Sequence, residues 1–296
     1  MFKRLFGSAE SERGISISLS LNQPETNEKY RLPYFFPEAV IFLSNDVISG
    51  VISVVSKDNL PINYELLNIS IIGQYRVKSD DSLYTFFKRS RNVSTNAEIC
   101  IGKKIEFQMK PVSFSLPSFY GSFVDVRYVI QVSMTTKESE YNSSVPIYVL
   151  FLTPKPQSIV PMKAEIGIKN VLHIEFVFPK PEFDCNSVLI GKLFFLIVKI
   201  RIVQVYLQIK REEFFDNGIV RFKNEAIVSQ FELLDGVPVR GDSIPVRVFF
   251  PGIKVWPCAQ KTKDFEVSYS VRFILFDENG KHYYKDLTSE LFRYEL

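Results

Sequence analysis

Two imidazoles are the first place to look for proton chemistry, since histidine alone titrates near neutrality unperturbed. They are His173 and His282. His173 sits between Leu172 and Ile174 in a run that reads as a strand, where a histidine is a packed or hydrogen-bonded structural residue. His282 follows a turn and reads as solvated. The cysteines, Cys100, Cys185 and Cys258, are far apart and form no CxxC and no zinc spacing. An odd, sparse count fits a reducing compartment. Nothing basic is placed to activate the Cys258 thiol in Trp256-Pro257-Cys258. No GxSxG, HExxH, Walker-type loop or GxGxxG occurs. The carboxylates are scattered, so no acid–base pair emerges. Arg240-Gly241-Asp242 spells an adhesion tripeptide, but it reads as a turn before a strand. These residues argue against an enzyme, and they imply neither cofactor nor metal.

The elements that would position any site are β-strands. The chain has 27 Phe and 14 Tyr but six Ala, a composition that leans away from helix. With 296 residues it suggests about two domains, and 46% apolar residues are enough for buried cores. A net charge of +3 is too small for a nucleic-acid binder. The N-terminus, MFKRLFGSAESERG, lacks the apolar core of a signal peptide, so the sequons at Asn68, Asn92 and Asn142 are expected to be unmodified. The most apolar stretch, Val188 to Ile209, is broken by Lys192, Lys199, Arg201 and Gln204 and reads as two adjacent buried strands rather than a membrane span.

Period-two alternation runs through the chain. Ile15, Ile17, Leu19 and Leu21 form one set; Val124, Val126, Tyr128, Ile130 and Val132 another; Val267, Tyr269, Val271, Phe273 and Leu275 a third. Val47, Val51 and Val55, set against Ser49 and Ser53, are taken as a fourth buried face. Turns are expected at Asp58-Asn59, Asp216-Asn217-Gly218, Asp235-Gly236 and Glu278-Asn279-Gly280. Four segments recur in order. Val47–Ile52 resembles Val188–Leu193, Asn68–Ile72 resembles Val203–Leu207, Gly102–Phe107 resembles Gly241–Val246, and Phe123–Tyr128 resembles Phe265–Ser270. They predict two similar β-domains in tandem, 1–153 and 154–296, joined through the proline-rich stretch Leu152–Pro161. The fold class is all-β, and a sandwich is a better fit than a barrel.

One non-core feature stands out in Phe231–Arg247, FELLDGVPVRGDSIPVR. Alternation lets only one of Leu233 and Leu234 face a core, so at least one is expected to be exposed as a contact surface; a strand end with a spare leucine is the other reading.

These residues carry a resemblance. The chain resembles the vacuolar protein sorting-associated protein 26 family, the arrestin-like subunit of retromer. The strongest stretch includes Met162–Ile168, Leu172–Phe176, Val188–Lys192, Phe195–Ile200 and the string Asp235–Arg247, DGVPVRGDSIPVR. Phe6-Gly7, Ile72–Gln74, Tyr120-Gly121, Val126–Tyr128 and Phe265–Tyr269 add support.

The resemblance implies two tandem arrestin-like (immunoglobulin-like) sandwiches without catalysis or cofactor. It implies a cytoplasmic protein, peripheral on the endosome membrane, that recovers membrane cargo towards the Golgi or plasma membrane. Its C-terminal sandwich would dock on the large α-solenoid retromer subunit through an apolar pair just before Asp-Gly. Here that pair is Leu233-Leu234, before Asp235-Gly236, with Arg240 and Asp242 flanking. A sorting nexin and the cytosolic tails of membrane cargo would bind near Ile166 and Tyr284, where the family usually has Phe in place of the tyrosine. Membrane contact would be indirect, and no nucleic acid is involved. There are departures. Leu116-Pro117-Ser118-Phe119 stands where the family carries an acidic residue, the region around Pro33–Val40 is shortened, and the polar tail after Phe292-Arg293 is shorter. A retriever-type subunit, or another arrestin-like adaptor on a different scaffold, is the alternative. A β-sandwich enzyme or carbohydrate binder is the reading from another class.

Overall fold

The computed structural model describes residues 14–27, 30, 39–57, 60–100, 102–155, 160–179, 184–253, 255–256 and 262–289. Phe6-Gly7, the Asp58-Asn59 turn, Cys258, Phe292-Arg293 and most of Pro33–Val40 lie outside them, as do residues 156–159 of the proline-rich stretch. The described elements are strands and two short 3-10 turns. Among the described residues no helix is long and apolar enough to cross a membrane. The chain divides into two compact units, Met1–Phe151 and Leu152–Leu296.

Unit 1 contains β1 (Ser16–Leu21), β2 (Val40–Leu43), β3 (Ile48–Val55), β4 (Ile62–Val77), β5 (Leu83–Ile99), β6 (Lys104–Met109), β7 (Phe119–Tyr120), β8 (Val124–Thr135) and β9 (Glu140–Leu150). One sheet has the order β1-β3-β6 and the other β2-β9-β8-β4-β5, with β7 added on β8. Unit 2 contains β10 (Met162–Ile168), β11 (Leu172–Phe178), β12 (Val188–Val198), β13 (Ile202–Asp216), β14 (Arg221–Asp235), β15 (Ser243–Phe249), β16 (Phe265–Asp277) and β17 (His282–Ser289). Its sheets are β10-β11-β12-β15 and β14-β13-β16-β17. The orders β9-β8-β4-β5 and β17-β16-β13-β14 are the same path, and β3-β6 corresponds to β12-β15. Both units are all-β, consistent with the arrestin-like fold class.

The four recurring segments fall on corresponding strands, but two of them are out of register. Ile48, Gly50 and Ile52 point inward, as do Leu189, Gly191 and Leu193. Phe107 and Val246 also agree. By contrast Phe123 is exposed where its match Phe265 is buried, and Ile69 is buried where its match Gln204 is not. A match between two alternating strings tolerates a one-residue slip, and that slip exchanges the faces.

The same parity corrects the reading of β3. Val47, Ser49, Val51, Ser53 and Val55 all share the outer face, with Val47 and Val55 exposed; the core face is Ile48, Gly50, Ile52 and Val54. The sets from β8 and β16 point inward as expected, every member buried. Aromatic rings fill both cores. In unit 1 the Tyr128 ring meets Phe114 at 4.9 Å and Phe86 at 5.7 Å, and its hydroxyl donates to the Leu116 carbonyl at 2.7 Å. In unit 2 the Phe176 and Phe273 rings lie 3.9 Å apart. Val188–Ile209 forms β12 and the start of β13, which belong to opposite sheets. Asn92, Asn68 and Asn142 lie in one cross-strand row with Ser133, and Asn68 donates to Asn92 at 3.2 Å.

Gly50 and Gly191 occupy corresponding core-facing positions for a shared reason. A Cβ on Gly50 would collide with the Ser20 carbonyl oxygen, and one on Gly191 would meet the Phe178 ring and stand 2.8 Å from the Val177 carbonyl oxygen. In each unit the strand beside it lies too close for a side chain. Gly191→Ala is therefore expected to destabilise unit 2 by about 1–3 kcal/mol through overpacking. Denaturant titration followed by Trp256 fluorescence checks this, and an unchanged midpoint would refute it.

Candidate docking interface

Among the described residues β14 is one of the two edge strands of its sheet. Val205 pairs with Leu234 and Tyr206 with Glu232, so Leu233 is an extra residue in a β-bulge. The bulge changes the expected geometry. Leu234 lies across from core-facing Val205, and Leu233, set out of the ladder beside it, is half-buried as well. Neither leucine is exposed, because the strand continues to Asp235 instead of turning early. The apolar surface here comes from the next segment, where Val237 is 47% and Val239 62% exposed around buried Pro238. Broken alternation had drawn attention to the leucines; the valines escaped it because alternation says nothing about a loop.

That segment is held from both sides. Asp235 is exposed and pairs with Gln204, while Gly236 (φ 133) donates its N–H to the Val203 carbonyl at 2.9 Å. Residues 239–242 close a turn. The Asp242 N–H donates to the Val239 carbonyl at 3.1 Å, and the Asp242 carboxylate accepts the Val239 N–H at 2.8 Å. Gly241 (φ 95) donates to the Phe195 carbonyl at 2.8 Å, and Phe195 donates to the Asp242 carbonyl at 3.0 Å. The adhesion-like tripeptide is thus a turn tied to β12. Asp242 shapes the loop with its carboxylate, and Arg240 projects as an exposed side chain.

Ile166 and Tyr284 belong to two edge strands, β10 and β17, that lie against each other. Their side chains do not share a pocket. Ile166 is buried opposite core-facing Ile174, whereas Tyr284 is 55% exposed on the outer face, opposite Ile274. The Arg272 guanidinium lies 4.5 Å from the Tyr284 ring centroid. It also makes a two-pronged bond to Asp286, 2.6 Å on each arm. That bond, above all, holds the Asp286 carboxyl below its ordinary range. His282 stacks on Tyr284 at 6.4 Å and is exposed.

His173 is hydrogen-bonded, its Nε2 3.0 Å from Glu165 Oε2 and 3.8 Å from Glu175 Oε1. Among the described residues Glu165, His173 and Glu175 each bring one ligand atom within 4.8 Å of the others, close enough to share a metal ion. The sequence did not reveal it, because the cross-strand register places Glu165 opposite Glu175. The hydrogen bond between His173 and an exposed glutamate accounts for the imidazole without an ion.

A profile of the vacuolar protein sorting-associated protein 26 family matches residues 16–280. The chain belongs to this family. Similar proteins carry the same family name. That of Caenorhabditis elegans is 28% identical over 256 residues, covering 86% of this chain and 72% of its own. That of Schizosaccharomyces pombe is 27% identical over 286 residues, covering 94% and 95%. The human protein 26B is 28% identical over 256 residues, covering 86% and 76%. Membership gives this Vps26-family chain a role in protein sorting.

Because the folded pKa of Asp286 is depressed, its bond to Arg272 stabilises the protein above the ordinary carboxylate range and is lost as pH falls through that pKa. Asp286 is mostly solvent-screened, so the contribution is about 0.2–1 kcal/mol. Asp286→Asn should lower the thermal midpoint slightly at neutral pH and leave it unchanged in acid below the carboxylate range. A deficit persisting in acid would show that the ion pair is not its source.

Proposed function

We propose that this chain is a non-enzymatic adaptor subunit of retromer that docks on the large α-solenoid subunit and serves recovery of membrane cargo from endosomes to the Golgi or plasma membrane. The reading rests on the family match across 16–280. It is supported by the apolar rim formed by Leu233 and Leu234 at the end of an edge strand with exposed Val237 and Val239 beyond. Covering the two half-buried leucines contributes roughly 1.5–3 kcal/mol before ordering costs, and the valines add to it. Asp235, Gly236 and Asp242 act by shaping the segment, and Arg240 sits on its solvated rim, where a charge contributes little.

A sorting nexin and cargo tails would engage the β10/β17 edge. Tyr284 is already presented there, and Ile166 would join it through local opening of β10. The protein would work in the cytoplasm, held on the endosome membrane through the nexin.

Calorimetry with the same organism's large solenoid retromer subunit tests this. The native chain should bind. Leu233→Asp/Leu234→Asn should abolish binding, and Val239→Asp, at an exposed position that leaves the fold intact, should weaken it about ten-fold or more. No binding by the native chain would sink the reading and move a retriever-type scaffold to the front.

A further inference from the structure

The two units share a topology but differ at one edge. In unit 2 the edge strands β14 and β15 touch. Their counterparts in unit 1, β5 and β6, border a cavity of about 420 Å³ lined by Arg91 and Val93 on one side and Glu106, Met109 and Lys110 on the other. An adjoining cavity of about 380 Å³ adds Arg89.

The chemistry of this cleft is unusual for a sandwich edge. Arg89 and Arg91 pair with Ile71 and Ile69, both fully buried, so the two arginines stand on the core-facing side of β5. Apolar side chains there would draw the sheets together. Instead, Arg89 donates to the Pro111 carbonyl at 3.1 Å and Arg91 donates to the Gln108 carbonyl. Carbonyls satisfy N–H groups but leave the positive charge in place. Among the described residues, Lys88, Arg89, Arg91 and Lys110 form no ion pair with a carboxylate. Glu106 is the one acidic group among the residues lining the two cavities.

Two more features describe the ligand. Among the described residues β5 and β6 are both outermost strands, so each leaves backbone N–H and C=O groups without a ladder partner there. Val93 is skipped in the pairing between Asn92 and Ser94, a bulge, and it lines the cleft with Met109. The cleft therefore offers hydrogen bonds to an extended backbone, an apolar floor and a cationic wall.

We infer that this cleft binds an extended acidic segment of another polypeptide, with its carboxylates on Arg89, Arg91 and Lys110 and an apolar side chain over Val93 and Met109. Strand addition uses the free edges, and side chains at alternate positions supply the specificity. An inositol phosphate headgroup would use the cations alone and would face Glu106. The inference concerns unit 1 and is independent of the scaffold-docking reading in unit 2.

The probe is a fluorescein-labelled peptide alternating glutamate with valine, titrated with the full chain by fluorescence anisotropy. It should bind, and its lysine-for-glutamate counterpart should not. Arg91→Gln keeps an N–H for the Gln108 carbonyl and removes the charge. It should weaken binding about ten-fold, as expected for one lost charge-assisted hydrogen bond, with an unchanged thermal midpoint. Arg221→Gln, on exposed β14, should leave binding unchanged. Three outcomes overturn the inference: no binding of the acidic peptide, equal weakening by Arg221→Gln, or capture of phosphoinositide vesicles without peptide binding.

Discussion

Among the described residues the four sheets stay open, so each ends in two edge strands whose outward backbone groups have no ladder partner there. Most candidate contacts lie on such an edge or in the loop that leaves it: Leu233 and Leu234 on β14 with Val237 and Val239 just beyond, Ile166 on β10, Tyr284 on β17, and the arginines of β5. Inner strands have no comparable freedom, because both backbone edges are bonded and one face is committed to the core. The chain guards its edges with charge and irregularity. Bulges interrupt β5 and β14, Arg89 and Arg91 cover carbonyls next to β6, and β14 carries Lys223, Glu225 and Glu232 along its length. The same devices that discourage indiscriminate strand pairing leave defined places where a chosen partner can attach.

Charges also enter the interior. On β13, Arg211 and fully buried Glu213 lie 2.7 Å apart, and the buried Lys210 amine reaches Glu225 at 2.5 Å. In unit 1 buried Asp125 is met by Lys78 at 3.0 Å and Arg76 at 4.0 Å, while burial raises its pKa. Such pairs stabilise little relative to apolar packing, but losing one partner strands the other without solvation. Their effect is to make any slip of β13 or β8 costly, which complements the weak register information in alternating strands.

The stretches that the resemblance marked as departures occupy defined places in the fold. Leu116, Ser118 and Phe119 are buried. Leu116 accepts the Tyr128 hydroxyl, and Ser118 exchanges bonds with the Val149 backbone, donating its N–H at 2.8 Å and accepting at 2.9 Å. The segment without an acidic residue is thus bound into the unit 1 core. Tyr284 is exposed and held by Arg272, where a hydroxyl can stay in water. A tyrosine is therefore compatible with that position on the outer face, whichever partner it meets.

The sequence alone determined the fold class, the strands β8 and β16 with their buried faces, and the family. Each rests on local alternation or on a long matched string, information that survives without three-dimensional contacts. It misjudged the face of β3 and slipped two repeat matches by one residue, because periodicity names two faces without saying which is inside. It singled out Leu233 and Leu234 from broken alternation, but their half-burial depends on a bulge defined by pairing with β13. Glu165, His173 and Glu175 came together, Ile166 and Tyr284 turned apart, and Arg89, Arg91 and Lys110 met across one cleft only through tertiary structure. Cross-strand register and the separation of two sheets are relations between distant segments, so no single segment encodes them.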